Sequence, residues 1–204
     1  VTLDAFWIDQ TEVTNAMYDQ CVADGVCNPQ HNTSSYSRGS YYGDAAYADY
    51  PVIYVDWNQA SSYCAWAERQ LPTEAQWEYA ARGGLAGATY PWGDESPSCT
   101  PGAQNGAQYI SCSPQDTIAV SSFAPNGYGL YDMAGNVFEW AADWYADYSS
   151  AAVENPTGPV SGEYRLLRGG AWGSSGSSLR VADRGGDFPD YSYNFIGFRC
   201  ARSP

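Results

Sequence analysis

Six cysteines, a surplus of carboxylates and a dense set of aromatic rings are the residues of this 204-residue chain whose chemistry could define a function. The cysteines are Cys21, Cys27, Cys64, Cys99, Cys112 and Cys200. They form an even set with no Cys-x-x-Cys pair, and the single histidine, His31, cannot complete a zinc site with them. Disulfides are the expected use, and they point to an exported protein in an extracellular, cell-surface or periplasmic setting. His31 reads as a surface loop residue, and Asn32-Thr33-Ser34 makes Asn32 a candidate glycosylation site. Acidic residues number 23 against 9 basic ones, all arginine, for a net charge of −14. Such a balance repels phosphate, so nucleic acid and anionic membrane surfaces are excluded as first readings. The same carboxylates are hard oxygen ligands of the kind calcium takes.

The aromatics, 18 Tyr, 8 Trp and 6 Phe, supply a core for a folded domain. No run of about 18 apolar residues exists to span a bilayer. Three helices are expected. Thr14 caps one over Asn15 to about Ala23. Asp56 with Gln59 forms a capping box for a second that runs to about Arg69. Thr73 with Gln76 forms another for a third that ends at Arg82, before Gly83-Gly84. After residue 84 periodicity gives way to Gly, Pro, Ser and Asn with scattered aromatics. The expectation there is long ordered loops held by disulfides, ions and buried rings. Strands are expected at Thr2 to Ile8, Val137 to Trp140, Tyr164 to Arg168 and Ile196 to Ala201. No linker divides residues 1–204, which read as a single domain whose first residues are a strand already under way, as if upstream residues were missing.

Several ordered segments carry a resemblance. Leu71-Pro72-Thr73-Glu74-Ala75-Gln76-Trp77-Glu78-Tyr79, Asn126-Gly127-Tyr128-Gly129-Leu130-Tyr131-Asp132, Gly135-Asn136-Val137-Phe138-Glu139-Trp140, Arg168-Gly169-Gly170-Ala171-Trp172 and Ile196-Gly197-Phe198-Arg199-Cys200 occur in order. In these motifs the chain resembles the formylglycine-generating, sulfatase-modifying factor family, without that family's N-terminal opening strand and Met-Gly turn. The resemblance implies an α+β, C-type lectin-like fold, low in regular secondary structure and stapled by disulfides and calcium. It pairs Cys64 with Cys200 and leaves Cys21 with Cys27 and Cys99 with Cys112 as local pairs. It also implies a calcium site formed by the carboxylates of Asp132 and Glu139 and the carbonyls of Gly135 and Val137. A second calcium site of the family falls near residues 105 to 116, where this sequence departs from the pattern, and it is not carried over.

The departure that matters most concerns catalysis. Family members that oxidise a sulfatase cysteine hold copper(I) on a cysteine pair shortly after Arg-Gly-Gly-Ser, thiolates being the soft ligands this ion requires. Here residues 168–180 contain no cysteine, so no copper and no catalytic residue is expected. A sulfoxide-forming branch uses iron on histidines, which one histidine cannot supply. The function expected instead is a non-catalytic, exported, calcium-stabilised binding or assembly module, with a protein, a glycan or its own copies as partner. Trp172, Arg180, Asp187, Phe188, Tyr191, Tyr193, Asn194 and Phe195 would form its ligand-binding surface, since rigid aromatics beside small polar groups suit recognition. The alternatives are a formylglycine-generating oxidase working without the usual pair, a retroelement-diversified ligand-binding protein, and a purely structural surface-layer or fibre role. Retroelement-diversified proteins share this fold subtype and vary the residues around a Pro-Asp and before Ile-Gly-Phe-Arg, here 185–188 and 191–195.

Overall fold

The computed structural model describes residues 1–148 and 150–203. Three helices precede most of the strands. α1 spans Asn15–Ala23, α2 spans Trp57–Trp66 and α3 spans Glu74–Ala81. The caps expected from sequence form. Thr14 accepts the Met17 N–H, and reciprocal bonds close the Asp56/Gln59 and Thr73/Gln76 boxes at 2.8 to 3.2 Å. α2 stops short of the expected Arg69, because Glu68 turns left-handed at φ +56° and the Arg69 side chain pairs with Asp9. After α3 the chain reverses at Gly83. A side chain there would bring its Cβ to 2.8 Å from the Gly127 backbone nitrogen, so only glycine allows the two loops to touch.

The strands are shorter and more divided than expected. β1 covers only Trp7–Ile8 of the strand expected from Thr2, while Thr2 bridges separately to Glu154. β2 is longer than expected, Phe138–Trp144, and β3 spans Arg165–Arg168. β4 is Gly185–Asp187. The expected strand Ile196 to Ala201 is two strands: β5 (Ile196–Gly197) runs parallel to β2, and β6 (Ala201–Arg202) pairs antiparallel with β1. Between them the backbone changes partner: the Phe198 carbonyl accepts the Val13 N–H at 2.9 Å, the Cys200 carbonyl accepts the Asp9 N–H at 2.8 Å, and Arg199 is buried against Glu139. The four-stranded sheet has the order β4-β3-β2-β5.

The largest apolar cluster joins α1 and α2 to β2 and the closing segment through Tyr18, Val52, Tyr63, Trp140, Ile196 and Phe198. A second packs Trp77 and Ala81 of α3 on Leu130, Met133 and Val181. All three cysteine pairs implied by the resemblance form: Cys21–Cys27, Cys64–Cys200 and Cys99–Cys112. Among the described residues no helix is long and apolar enough to cross a membrane.

Asp143 on β2 ties the sheet to α3 by accepting the Glu74 N–H at 2.8 Å. Burial, aided by the Glu74 charge, pushes its carboxyl up to about 6. A group raised from about 3.9 when unfolded binds its proton more tightly when folded, so its contribution is fullest below about pH 4 and is lost as pH rises through about 6. The loss by neutral pH is about 3 kcal/mol at 1.36 kcal/mol per unit. Asp143→Asn keeps an acceptor for Glu74 and removes the charge. Thermal unfolding between pH 4 and 8 should therefore show the variant's gain over wild type growing with pH; a gain independent of pH would reject this account.

Candidate functional site

The segment 131–139 enters β2 through a turn in which Asp132, Gly135 and Asn136 all have positive φ, at +56°, +84° and +61°. Gly135 is required there, since a Cβ would fall 2.3 Å from the Gln108 carbonyl oxygen. Asn136 holds the turn. Its Oδ1 accepts the Ile118 N–H at 3.0 Å, and its amide donates to Glu12 Oε2 at 2.8 Å. Glu139 follows on β2, fully buried. Its Oε2 accepts Trp77 Nε1 at 2.8 Å and Arg199 Nε at 2.7 Å, and its Oε1 accepts Arg199 Nη2 at 2.8 Å. The other guanidinium hydrogens reach the carbonyls of Asp9, Gln10 and Tyr131.

Three carboxylates thus surround one guanidinium. Burial drives Glu12 well above the usual carboxylate range, and the charges of Asp132 and Glu139 add to this. Asp132 keeps part of its surface open, yet desolvation raises it to about 6 against the opposing hydrogen bond from the Ser121 N–H. Arg199 would lose its proton more readily by burial alone, but the Glu139 carboxylate beside it reverses that and holds it charged. Full ionisation of the three carboxylates would bury more negative charge than Arg199 balances, which is why burial makes Glu12 and Asp132 hold their protons and what a hard cation would relieve. Among the described residues no three His, Cys, Asp or Glu side chains are grouped as a metal site. An ion at the expected position would therefore rest on two carboxylates and two backbone carbonyls. Glu139 Oε1 accepts one hydrogen bond and retains a lone pair, so the donor set fits in both charge and hardness. By contrast, the buried Asp116, in the segment where no second site is carried over, is saturated by Ser35, Ser37 and Arg38.

The other candidate surface follows β4. Its rings form a continuous ladder: Tyr164 to Phe188 at 4.8 Å between centroids, then Tyr191 at 5.0 Å, Tyr193 at 6.2 Å, Phe195 at 5.1 Å and Phe138 at 6.4 Å. Most contacts are edge-to-face or tilted, and Tyr193 stacks on Phe195. Aromatic pairs in such geometries add about 0.5–1.5 kcal/mol each beyond area burial. The loop backbone is pinned at three carbonyls. Pro189 accepts the Trp57 N–H at 3.1 Å, Tyr193 the Tyr54 N–H at 3.0 Å and Phe195 the Phe138 N–H at 2.8 Å. The face is preformed, so a ligand would meet little ordering cost.

The expected surface residues divide. Phe188, Tyr191, Tyr193 and Phe195 are rungs of the ladder. Asp187 flanks it, its carboxylate accepting the Phe188 N–H at 2.8 Å, and Asn194 lies within it. Trp172 needs correction: it is 8% exposed, packs at 4.8 Å from Tyr36, and its Nε1 donates to the Asn194 carbonyl. It supports the face from below. Arg180 is also apart, bonded to the Ser177 carbonyl and to Asp183, with no hydrogen bond, ion pair or ring contact to the ladder among the described residues. Sequence reading missed Tyr164 and Phe138. Both lie next to or on strands that bracket the loop, and strand pairing to β4 and β5 is the signal that could have found them.

In the loop 168–180, Ser174 Oγ accepts the Ala171 N–H at 3.0 Å. All six cysteines are disulfide-bonded, so the chain offers no free thiol. His31 is exposed; its imidazole meets Asp56 at 3.2 Å and its backbone N–H donates to the Tyr54 carbonyl at 3.0 Å. Asn32 is exposed, with Oδ1 accepting Ser34 N–H and Oγ–H bonds.

The family model for the sulfatase-modifying factor enzyme 1-like domain matches residues 1–204. The chain is 44% identical over 168 residues to the formylglycine-generating enzyme of Streptomyces coelicolor, covering 75% of this chain and 52% of that protein. It is 38% identical to the serine/threonine-protein kinase pkn1 of Chlamydia pneumoniae across all of this chain, which is 34% of that protein. The chain thus spans a third to a half of these two relatives. Among solved structures, Treponema denticola variable protein 1 is similar with a TM-score of 0.79 and 29% identity, covering 100% of this chain and 86% of the other. A major tropism determinant variant, U1, shares the fold at a TM-score of 0.51 and 16% identity, covering 98% of this chain and 50% of the other. The mixed α+β, loop-rich, C-type lectin-like architecture and the full-length motif match agree: the chain belongs to the sulfatase-modifying factor enzyme 1-like domain family.

Proposed function

We propose that this domain is a non-catalytic, exported binding module, stabilised by calcium, that presents the aromatic ladder from Tyr164 to Phe195 to a protein or glycan ligand. The observation that carries the reading is the preformed ladder itself, fixed at both ends by strands and beneath by Trp172. Rings held this rigidly give contact area at low entropic cost. A ligand-binding role among retroelement-diversified proteins has specific support, since the segments 185–188 and 191–195 form this face and a Treponema variable protein shares the fold at 29% identity. Calcium would be held by Asp132, Glu139 and the carbonyls of Gly135 and Val137. When bound, it would supply positive charge to the buried carboxylates and brace the turn into β2. The three disulfides suit an extracellular, cell-surface or periplasmic location. Self-assembly through the same face is the outcome to separate from capture of a different partner.

The competing reading, a formylglycine-generating oxidase, draws on the 44% identical Streptomyces relative. It lacks a thiol donor for copper, since residues 168–180 hold no cysteine and all six cysteines are paired. Copper(I)-loaded protein should form no aldehyde on a Cys-x-Pro-x-Arg peptide, and measurable turnover would overthrow the binding reading. On glycan and protein arrays, Tyr191→Ala/Tyr193→Ala should abolish signals that the wild type gives; retained signals would move recognition elsewhere. Concentration-dependent oligomers lost in the same variant would identify the partner as another copy. Chelation should lower the melting temperature by several degrees, at about 2–4 °C per kcal/mol for a domain of this size. An unchanged temperature would count against the calcium site.

A further inference from the structure

On a different part of the surface from the ladder, the first residues, α3 and the segment after β2 enclose an open groove of about 1460 Å³. No residue of 185–195 lines it. Its rim carries large rings with much of their surface bare: Trp7 at 62% exposure, Tyr148 at 65%, Tyr79 at 54% and Tyr128 at 48%. Tyr79 and Tyr128 stack at 5.7 Å, and their hydroxyls meet at 3.3 Å. Single exposed rings are ordinary, but four around one concavity are not.

The charges in the groove are one-sided. Asp4, Glu74, Glu78, Asp143, Asp147 and Glu154 line it against Arg82 and Arg184. Both arginines are already engaged. Arg184 forks onto Glu74 at 2.5 and 2.8 Å and lies 4.0 Å from the Tyr148 ring centre, while Arg82 holds Glu78 at 2.7 Å. Asp4, Asp147 and Glu154 have no ion pair among the described residues, and the chain has no lysine to offer them. Exposed aromatic faces beside unbalanced carboxylates complement cations carried on apolar stems, the guanidinium above all. The volume exceeds the roughly 300–1,000 Å³ of pockets for compact small molecules, which favours an extended occupant.

We propose that this groove docks an extended, arginine- or lysine-rich segment of a partner protein. The basic side chains would lie across Trp7 and the Tyr79/Tyr128 pair, with their charges towards Asp147 and Glu154. The site is independent of the ladder, so the domain would carry two recognition faces of different chemistry.

Fluorescence anisotropy on the full chain tests this, with a short labelled peptide alternating arginine and leucine as probe and its glutamate counterpart as control. The basic peptide should bind and the acidic one should not. Affinity should fall at least about tenfold in Trp7→Ala and in Asp147→Asn/Glu154→Gln, a change of about 1.4 kcal/mol or more. These residues are exposed, so matching melting curves would verify folding. Affinity should also fall as salt rises from about 0.05 to about 0.5 M, while Tyr193→Ala should leave it unchanged. Loss of binding in Tyr193→Ala with no effect of Trp7→Ala would transfer the site to the ladder. Equal binding of the acidic peptide would remove the charge argument. Displacement by spermine at comparable concentration would make the groove a pocket for small polycations. Hydrogen-exchange protection of residues 1–8 and 150–158 without any peptide, together with no binding, would mean that the chain covers the groove itself. Each of these four results overturns the proposal.

Discussion

Replacing Cys64 and Cys200 together with alanine is expected to lower the unfolding free energy by about 5 kcal/mol from loop entropy alone. The bridge closes a separation of 136 residues, and constraint of the unfolded chain grows with the logarithm of the closed loop. The same relation gives about 3 kcal/mol for Cys99–Cys112, at a separation of 13, and about 2 kcal/mol for Cys21–Cys27, at a separation of 6. Set against a typical total of about 5–15 kcal/mol, loss of the long bridge should leave a large unfolded population at 37 °C. Cys64 and Cys200 are also fully buried in the largest apolar cluster, so packing losses add to the entropic effect. Urea unfolding of the three double variants should rank them in this order. A Cys99/Cys112 variant less stable than the Cys64/Cys200 variant would show that native-state strain or residual unfolded structure, rather than loop length, governs the difference.

Arg199→Met should be comparably damaging for an electrostatic reason. The substitution leaves Glu139, Glu12 and Asp132 facing one another with their buried counter-ion gone, and it strands carbonyls that the guanidinium now satisfies. Breaking a buried pair from one side costs about 3–5 kcal/mol. Adding Glu139→Gln to Arg199→Met removes one of the stranded charges and should recover part of the loss, a coupling that a double-mutant cycle measures. Acidity should help the single variant. Burial has already raised Glu12 and Asp132, Asp132 to about 6. As pH falls, these groups take up protons in the folded state before the unfolded one, and the repulsion relaxes. The deficit of Arg199→Met relative to wild type should therefore shrink below about pH 6. A deficit unchanged between pH 5 and 8 would point to lost packing rather than charge.

Local chemistry was legible wherever it was short-range. Both capping boxes and the Thr14 cap formed because each bond spans three residues and needs no tertiary partner. The family motifs carried the disulfide pairing. The strands were misread at Ile196 to Ala201, where an apolar run containing Arg199 looks continuous. Whether it stays in one ladder depends on the remote segment 9–13, whose backbone takes over the pairing at Phe198 and Cys200. Trp172 was misplaced on the surface for a similar reason: its indole is buried by Tyr36, from a remote loop. The ladder was half visible, because Phe188 to Phe195 lie close in sequence while Tyr164 and Phe138 join them only through the sheet. The groove was not visible at all, since its walls come from residues near 5, 79, 128, 148 and 157 and no local pattern relates them.

The division of the last strand also sets the order in which the molecule can be made. Residues 196–202 complete the edge of the main sheet, pair with β1, bury Arg199 against Glu139 and carry the partner of Cys64. The pairing with β1, the parallel edge of the main sheet and the longest disulfide therefore all wait for this segment to arrive. Contacts of such high sequence separation fold slowly, because loop entropy is lost before any contact repays it. On a ribosome the preceding chain would emerge with its helices able to form and its core open. The native domain would lock only once the closing segment and an oxidant for the Cys64–Cys200 pair were both in place.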